Sequence, residues 1–322
     1  MIRRSLFFGV LAVAFWVAPV FSQTPPTFLG MWGSQGTGPG QFQGPTGIAV
    51  DPSGVVWVAD PGRIQSFTPE GVFLTQWPTG TTDFVVGIAA DGLGRIFMIT
   101  QSIQSSAIHY LHTFTTSGTL QSTEWIHSGG CHCSARVAGP AVTPGGDLFW
   151  ADWARYTFFG NPGNPVDTVA KVCGSPCWEV EPLELVYPGA VAVDPAGFVY
   201  VTDISLRRVQ KYTTDGTFIT QWGMGSSLVW ASGAAVGPNG DVFVTNYAGV
   251  QVLQFTSGGT LLTSWGSSGS GPGQFNGPYG VAVSSSGDIY VTDRGNHRVQ
   301  RFGDPAVSTV RGSWGRLKSL YR

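Results

Sequence analysis

The chain has 322 residues, enough for one large domain with a full hydrophobic core, and only 11% of them are charged. So few charges argue against a protein built from long amphipathic helices, which need charged residues on their solvent side. The net charge of -2 and the lack of a long Lys/Arg run argue against a partner with a phosphate backbone, so no nucleic acid is expected.

The chain opens with the features of a secretory signal peptide. Two arginines precede an apolar run over residues 6–17, and Val20 and Ser22 occupy the small-residue positions of a cleavage site. We predict a signal peptide over residues 1–22 and a secreted, periplasmic or cell-surface location. The alternative is a retained anchor, but the run is short for a span of about 20 residues, so no transmembrane anchor is expected.

Six segments share one pattern: a strand of small residues, a four-residue turn and a second strand rich in Val, Phe, Trp or Tyr. They are GIAVDPSGVVWVAD (47–60), GIAADGLGRIFMIT (87–100), GPAVTPGGDLFWAD (139–152), GAVAVDPAGFVYVTD (189–203), GAAVGPNGDVFVTN (233–246) and GVAVSSSGDIYVTD (280–293). Each turn has a glycine, which tolerates the positive φ of a tight hairpin. Asp51, Asp91 and Asp194 precede three of the turns, and we predict that they cap them rather than bind metal.

Two further strands follow each of these pairs in most copies. The third strands are RIQSF (63–67), RYTFF (155–159), RVQKY (208–212), VQVLQF (250–255) and RVQRF (298–302). A second glycine turn leads to a fourth strand that ends on Trp, as in VFLTQW (72–77), and spacing puts the fourth strand of blade three near 166–172. The pattern predicts an all-β fold, a six-bladed β-propeller of four-stranded blades over residues 23–302.

One passage is written at both ends of the domain, as GTGPGQFQGPTGIAV (36–50) and GSGPGQFNGPYGVAV (269–283). The segment before the first copy, TFLGMW (27–32), aligns with the fourth strands but has no other strands before it. We predict that it completes the last blade, so that the ring is closed by the N-terminal strand and has no free sheet edge. A rival fourth strand, TVRGSW (309–314), has poorer spacing and an arginine in an apolar position.

The stretch TDRGNHRVQRF (292–302), with GPGQFNGPYGVAV before it, resembles the NHL repeat, which is named for residues like Asn296 and His297. TDISLRRVQKY (202–212) resembles it without the Asn-His pair, and blades two and three are more diverged. The resemblance implies an exported NHL-repeat propeller of the bacterial type. Relatives of this architecture include zinc-dependent amidating lyases, gluconolactonases and strictosidine synthase-like proteins, so it also implies an enzymatic alternative.

Strand alternation divides the loops between two faces of the ring. The loop-rich face carries the links between blades and the loops from second to third strands, and the short-loop face carries the hairpin turns. Irregular loops often carry binding sites, and aromatic residues and arginines often anchor interfaces. The predicted binding residues on the loop-rich face are Trp153, Tyr187, Arg207, Trp230, Tyr247, Tyr279, Arg294 and His297. The arginines that open third strands, in contrast, are predicted to pair with the acids that end second strands: Arg63, Arg155, Arg208 and Arg298 with Asp60, Asp152, Asp203 and Asp293.

The residues that enzymes of this architecture need are scarce in the sequence. His109 and His112 are three apart on a predicted strand and so point to opposite faces, which is poor metal geometry. No G-x-S-x-G nucleophile motif occurs. We therefore predict a non-enzymatic, monomeric binding protein without a cofactor, whose partner is a protein, glycan or envelope ligand outside the cytoplasm. The alternative is a lyase or lactonase-like hydrolase with a metal ion in the central channel, and a structural metal ion also stays open.

Four cysteines occur in two short motifs, CHC (131–133) and CGSPC (173–177). In an exported chain they predict two disulfides, Cys131 and Cys133 pairing with Cys173 and Cys177, because a bridge within CHC would strain a very short loop. Both motifs are expected on the loop-rich face, beside blade three. The rival is a structural zinc site, for which Cys131 and Cys133 lack the usual spacing.

The last residues, 303–322, are predicted to form a basic C-terminal tail outside the ring. Four basic side chains stand there beside several apolar ones, a composition that suits a membrane surface or a docking signal. The alternative is a frayed terminus.

Overall fold

The computed structural model describes residues 23–105, 108–126, 136–143, 145–154, 166–172, 187–223 and 230–303, with the side chains of 136, 152–154 and 166–172 excepted. Within these ranges the strands form six sheets, five of them four-stranded and one three-stranded. The predicted signal peptide, the C-terminal tail and the four cysteines lie outside the described residues. No helix in the described ranges has the length and apolar character to cross a bilayer.

Each sheet is one blade, and all neighbouring strands within the sheets are antiparallel. The strands of blades one to three are β2 (Ile48–Val50), β3 (Val56–Asp60), β4 (Arg63–Phe67), β5 (Phe73–Pro78), β6 (Phe84–Ala90), β7 (Arg95–Gln101), β8 (His109–Thr115), β9 (Leu120–Ile126), β10 (Arg136–Val142), β11 (Leu148–Ala154) and β12 (Val166–Val172). Those of blades four to six are β13 (Pro188–Val193), β14 (Phe198–Asp203), β15 (Arg208–Thr213), β16 (Phe218–Gly223), β17 (Ala231–Val236), β18 (Val242–Asn246), β19 (Gln251–Phe255), β20 (Leu261–Trp265), β21 (Pro278–Val283), β22 (Asp288–Asp293) and β23 (Arg298–Gly303), with β1 (Thr27–Trp32).

The first strands of the blades line the central channel and touch one another in a closed cycle, from β2 through β6, β10, β13, β17 and β21 back to β2. Small residues are required there because the backbones nearly touch. A Cβ added at Gly87 would lie 2.9 Å from the Gly139 Cα, and one at Gly233 would lie 2.6 Å from the Tyr279 carbonyl oxygen. The channel cavity that remains is about 50 Å³.

The blades are also joined at their outer edges by the tryptophans that end fourth strands. Trp32, Trp77 and Trp222 each lie against a turn glycine of the next blade, so closely that a Cβ on that glycine would be 2.5 to 2.6 Å from the indole. In blade two the buried Ile126 is the last residue of the fourth strand, and Trp125 is 53% exposed. Each blade therefore buries apolar surface of its neighbour, which makes stability a property of the whole ring.

The N-terminal strand closes the ring, as the sequence predicts. Strand β1 pairs antiparallel with β23, with Thr27 opposite Gly303 and Trp32 opposite Val299. The Trp32 ring lies 5.7 Å from the Phe67 ring of blade one, so the closing strand also joins the first and last blades. The rival segment at 309–314 lies outside the described residues.

The prediction for blade three is wrong in one respect. Strand β12 pairs directly with β11, so residues 166–172 occupy the third position of the blade rather than the fourth. Val172 lies opposite Leu148, at the short-loop end, whereas Arg136 lies opposite Trp153, at the loop-rich end. The strands next to the two cysteine motifs therefore end on different faces. The predicted disulfides lie outside the described residues and stay a prediction.

Candidate functional site

The repeated GPGQF passage is held in place by the third strand that follows it in each blade. In blade one, the Gln65 side chain accepts from the Gly40 N–H (2.9 Å) and donates to the Gln41 carbonyl (2.7 Å). In blade six, Gln300 makes the same two bonds to Gly273 (2.9 Å) and Gln274 (2.6 Å). The duplicated passage is thus a structural link between blades.

The acids that end the second strands are buried and paired with arginines, as predicted. Asp293 bonds to Arg298 at 2.8 Å, Asp60 to Arg63 at 3.1 Å, and Asp203 lies 3.9 Å from Arg208. Burial raises the pKa of Asp60, while the backbone N–H groups of Gln43 and Gly44 and the Arg63 guanidinium act in the opposite direction. The Asp152–Arg155 pair predicted for blade three lies outside the described side chains. These ion pairs at the loop-rich end are part of the scaffold.

The loop-rich end of the channel opens into a cavity of about 60 Å³. It brings together three of the predicted residues, Tyr187, Trp230 and Tyr279, with Phe84, Val86, Gln101, His109, Val137, Pro188, Gly189, Ile204 and Ser232. Most of these residues lie near the start of a first strand or the end of a second strand, and both of these strand ends are at the loop-rich face. Tyr187, Trp230 and Tyr279 thus lie at the loop-rich end, where the sequence pattern predicts them, and their binding role stays a prediction.

Four aromatic side chains from blades two, five and six form a contiguous row at this mouth, here called the aromatic arc: Trp230, Tyr247, Tyr279 and Phe84. The ring centroids are 6.0 Å apart for Trp230 and Tyr247, 6.1 Å for Tyr247 and Tyr279, and 6.3 Å for Tyr279 and Phe84. The Arg294 guanidinium carbon lies 5.5 Å from the Phe84 centroid and 5.7 Å from that of Tyr279. Such distances allow cation–π attraction, which orients the guanidinium.

The remaining predicted residues are neither members of the arc nor in the cavity lining. Arg207 is exposed and has a left-handed backbone (φ 51°) in the loop before β15. His297 ends a single 3-10 turn (Arg294–Asn296), and its N–H donates to the Arg294 carbonyl (3.2 Å). Trp153 lies in β11, but its side chain is outside the described residues. A binding role for these residues stays a prediction.

Sequence reasoning missed two residues at this mouth. Phe84 and His109 were not predicted as binding residues. Phe84 is the first residue of a first strand, a position close to those of the predicted residues Trp230 and Tyr279 in their own blades. His109 is 2% exposed and contacts the cavity, whereas His112 lies inside the blade between the Thr100 (3.0 Å) and Thr123 (3.1 Å) hydroxyls. Burial lowers the pKa of His112, and Asp83 raises it by a smaller amount.

The short-loop end of the channel holds a larger cavity, of about 330 Å³. The last residue of each first strand borders it, a set here called the aliphatic ring: Val50, Ala90, Val142, Val193, Val236 and Val283. The capping aspartates stand beside it, with Asp51 accepting from the Ser53 N–H (2.9 Å) and Asp194 from the Phe198 N–H (2.8 Å). The prediction that these aspartates cap turns is confirmed. The cavity itself was not predicted.

The described channel wall offers little to a metal ion. Its lining between the two mouths comes from all six first strands and contains Gly, Ala, Val, Ile, Pro, Ser, Thr and Tyr. Across the described ranges, no group of three His, Cys, Asp or Glu side chains is placed to hold a metal.

The family model of the NHL repeat matches residues 42–63 in blade one and residues 275–302 in blade six. The chain is a β-propeller with NHL-type repeats in blades one and six. No curated protein matches it by sequence similarity.

Among solved structures, this propeller is similar to a luciferin-regenerating enzyme, with a TM-score of 0.58, 16% identity, and 82% of this chain and 92% of that chain covered. It is also similar to a gluconolactonase from Xanthomonas campestris (TM-score 0.56, 16% identity, 81% and 87% covered). A third similar chain comes from a nidogen/laminin complex (TM-score 0.53, 16% identity, 68% and 79% covered). At such identities the likeness shows the fold alone.

Proposed function

We propose that this propeller is a non-enzymatic binding protein that acts outside the cytoplasm and takes its ligand at the loop-rich mouth. The observation that carries the proposal is the aromatic arc with Arg294 beside it, at the entrance to the channel. Trp230 is 40% exposed there, although a tryptophan usually buries most of its surface. Exposed aromatic residues and arginines are the typical anchors of recognition surfaces.

The chemistry of the channel supports binding over catalysis. An active site needs a nucleophile, base or metal converging on one reacting atom. The described cavity at the loop-rich mouth has one imidazole, His109, and no carboxylate in its lining. We propose that the ligand is a protein, a glycan or another envelope component, and that the signal peptide exports the chain. One of the similar structures comes from a complex between two proteins, nidogen and laminin, which agrees with a binding use of this architecture.

The proposal is tested by capture of envelope and secreted material on the immobilised protein. We expect Trp230→Ala combined with Tyr247→Ala to lose the captured material. The matched control is Pro195→Ala combined with Pro238→Ala, two exposed residues beside the short-loop cavity. Loss of capture in the control alone would show that the face is wrong. Melting temperatures of all three proteins separate lost binding from lost folding.

The second candidate is a propeller enzyme, favoured by His109 at the cavity and by the fold shared with a gluconolactonase. Turnover of lactones that is abolished by a chelator and restored by a divalent metal ion would favour this function. We expect no such turnover.

A further inference from the structure

The further inference rests on the proposed function and names the chemistry of the ligand. We propose that Arg294 and the aromatic arc form a binding site for an acidic oligosaccharide, a chain of sugars that carry carboxylates. The aromatic rings would lie against the C–H faces of the sugars, and the Arg294 guanidinium would bind a carboxylate.

Arg294 differs from the arginines that hold the scaffold together. Arg298 and Arg63 each pair with a buried aspartate, at 2.8 and 3.1 Å. Arg294 instead lies over two ring faces and has no carboxylate partner among the described residues. A guanidinium is always charged and matches a carboxylate with two parallel N–H bonds, so one without an acid is suited to bind an anion.

Three buried acids near this mouth are each paired with an arginine other than Arg294. The side chains of Asp60, Asp203 and Asp293 are 0% exposed and lie next to their own arginines. The Asp83 carboxylate accepts the Ile103 N–H at 3.2 Å. Arg207, like Arg294, has no carboxylate partner among the described residues and is exposed. Both cations are thus available to an acidic ligand, with the strongest attraction at low salt.

The shape of the mouth favours a carbohydrate over a peptide. The unpaired edges of the sheets are their first strands, in the channel, and their last strands, at the outer rim, so a peptide at the mouth would not bind by adding a strand. The cavity of about 60 Å³ is too small for a large anchoring side chain. The arc instead offers successive aromatic rings along a curved rim. The negative faces of these rings attract C–H groups.

The test is calorimetric titration of the purified chain with trimers of galacturonate, glucuronate and guluronate, each compared with its uncharged methyl ester. We expect at least one acidic trimer to bind, and its ester to bind about 10- to 100-fold more weakly, as for loss of a charge-assisted hydrogen bond. Arg294→Gln should weaken binding of the acid to a similar extent and leave binding of the ester unchanged. Trp230→Ala should weaken both.

Lys211→Gln is the matched control. Its ammonium also lies over two rings, 4.1 Å from Phe198 and 5.1 Å from Tyr200, but in the third strand of blade four and not at the loop-rich mouth. Binding of the acidic trimer should not change in this variant.

Three results would overturn the inference. If no acidic trimer binds although the loop-rich face still captures material, the proposed function stands and the ligand chemistry is wrong. Tighter, Arg294-dependent binding of hexaglutamate would identify a peptide ligand. A lower melting temperature with unchanged binding in Arg294→Gln would show that the arginine has a partner within the chain. Glu179, Glu181 and Glu184, which lie outside the described residues, are the candidates for that partner.

Discussion

The two ends of the channel differ in how they use left-handed backbone. At the short-loop end, the residue with positive φ in the first hairpin is a glycine in every blade: Gly54, Gly94, Gly146, Gly197, Gly240 and Gly287. At the loop-rich end, the residue before the third strand is Gly62 in blade one but Arg207, Val250 and His297 in blades four to six, with φ between 51° and 56°. A side chain in this region costs about 1–2 kcal/mol, so the loop-rich end carries strain that the other end avoids. Strain of this kind concentrates at functional sites.

The larger of the two cavities is not the one with the side chains suited to binding. The short-loop cavity has about 330 Å³ and the loop-rich one about 60 Å³, yet the aromatic arc and Arg294 stand at the smaller. The larger cavity is lined by the ends of all six first strands and by the turns that follow them, so it is made of repeated structure. Repetition alone can therefore produce a cavity, and side-chain chemistry is the better guide to a site.

The largest expected effect comes from the buried acids of the loop-rich end. Asp293→Ala leaves the Arg298 guanidinium buried without its partner, which should lower the free energy of unfolding by about 3–5 kcal/mol. Asp51→Ala, at a partly exposed turn of the short-loop end, should cost about 1–2 kcal/mol. Urea unfolding measures both. Equal losses would show that the two ends are stabilised alike.

The next largest loss in the free energy of unfolding is expected from substitution of a turn glycine at the short-loop end. At Gly240 a Cβ would meet only the Ser257 Cβ at 3.9 Å, so Gly240→Ala tests the backbone rather than packing. With φ at +84°, we expect a loss of about 1–2 kcal/mol. Gly30→Ala is the control, because its Cβ would meet nothing within 4 Å and its φ is not in the left-handed range. A neutral Gly240→Ala would remove the contrast between the two ends.

The reverse change at the loop-rich end should stabilise the protein. Val250 is β-branched and has φ 56°, a conformation that asparagine adopts more readily. We expect Val250→Asn to raise the free energy of unfolding by about 0.5–1 kcal/mol, less than the full backbone cost because some apolar contact is lost. Val72→Asn, at an exposed valine without positive φ, should give no gain. A lower melting temperature for Val250→Asn would mean that packing outweighs strain.

The smallest effect concerns pH and the histidine inside blade two. Because burial lowers the pKa of His112, the unfolded chain binds a proton that the folded chain excludes. Stability should therefore fall as pH drops below the unfolded value of about 6.5, until the lowered pKa of the folded state is passed. His112→Gln, which can still bond to Thr100 and Thr123, should show a shallower fall in melting temperature between about pH 7 and pH 5. Parallel curves for the two proteins would contradict this.

Much of the fold follows from the sequence because the propeller repeats a local pattern. Strand, turn glycine and terminal tryptophan recur in the same order, and closure by residues 27–32 was readable as a fourth strand without its first three. The pairs of Asp60 with Arg63 and Asp293 with Arg298 were predictable for the same reason, since partners three to five residues apart are set by one loop. Blade three was mispredicted because its own residues depart from the repeat, and spacing was copied from blade one.

The candidate site depends on distances that no local pattern contains. Phe84 and Tyr279 are almost 200 residues apart in the sequence, and their rings meet because the closed ring places blades two and six on the two sides of blade one. The aliphatic ring likewise needs six hairpins to converge on one axis. The sequence by itself determined the blade, its turns and the closure of the ring, because those depend on hydrogen bonds and packing between near neighbours. Only the tertiary structure decided which side chains share each mouth, because the curvature of the closed ring, summed over all blades, sets those distances.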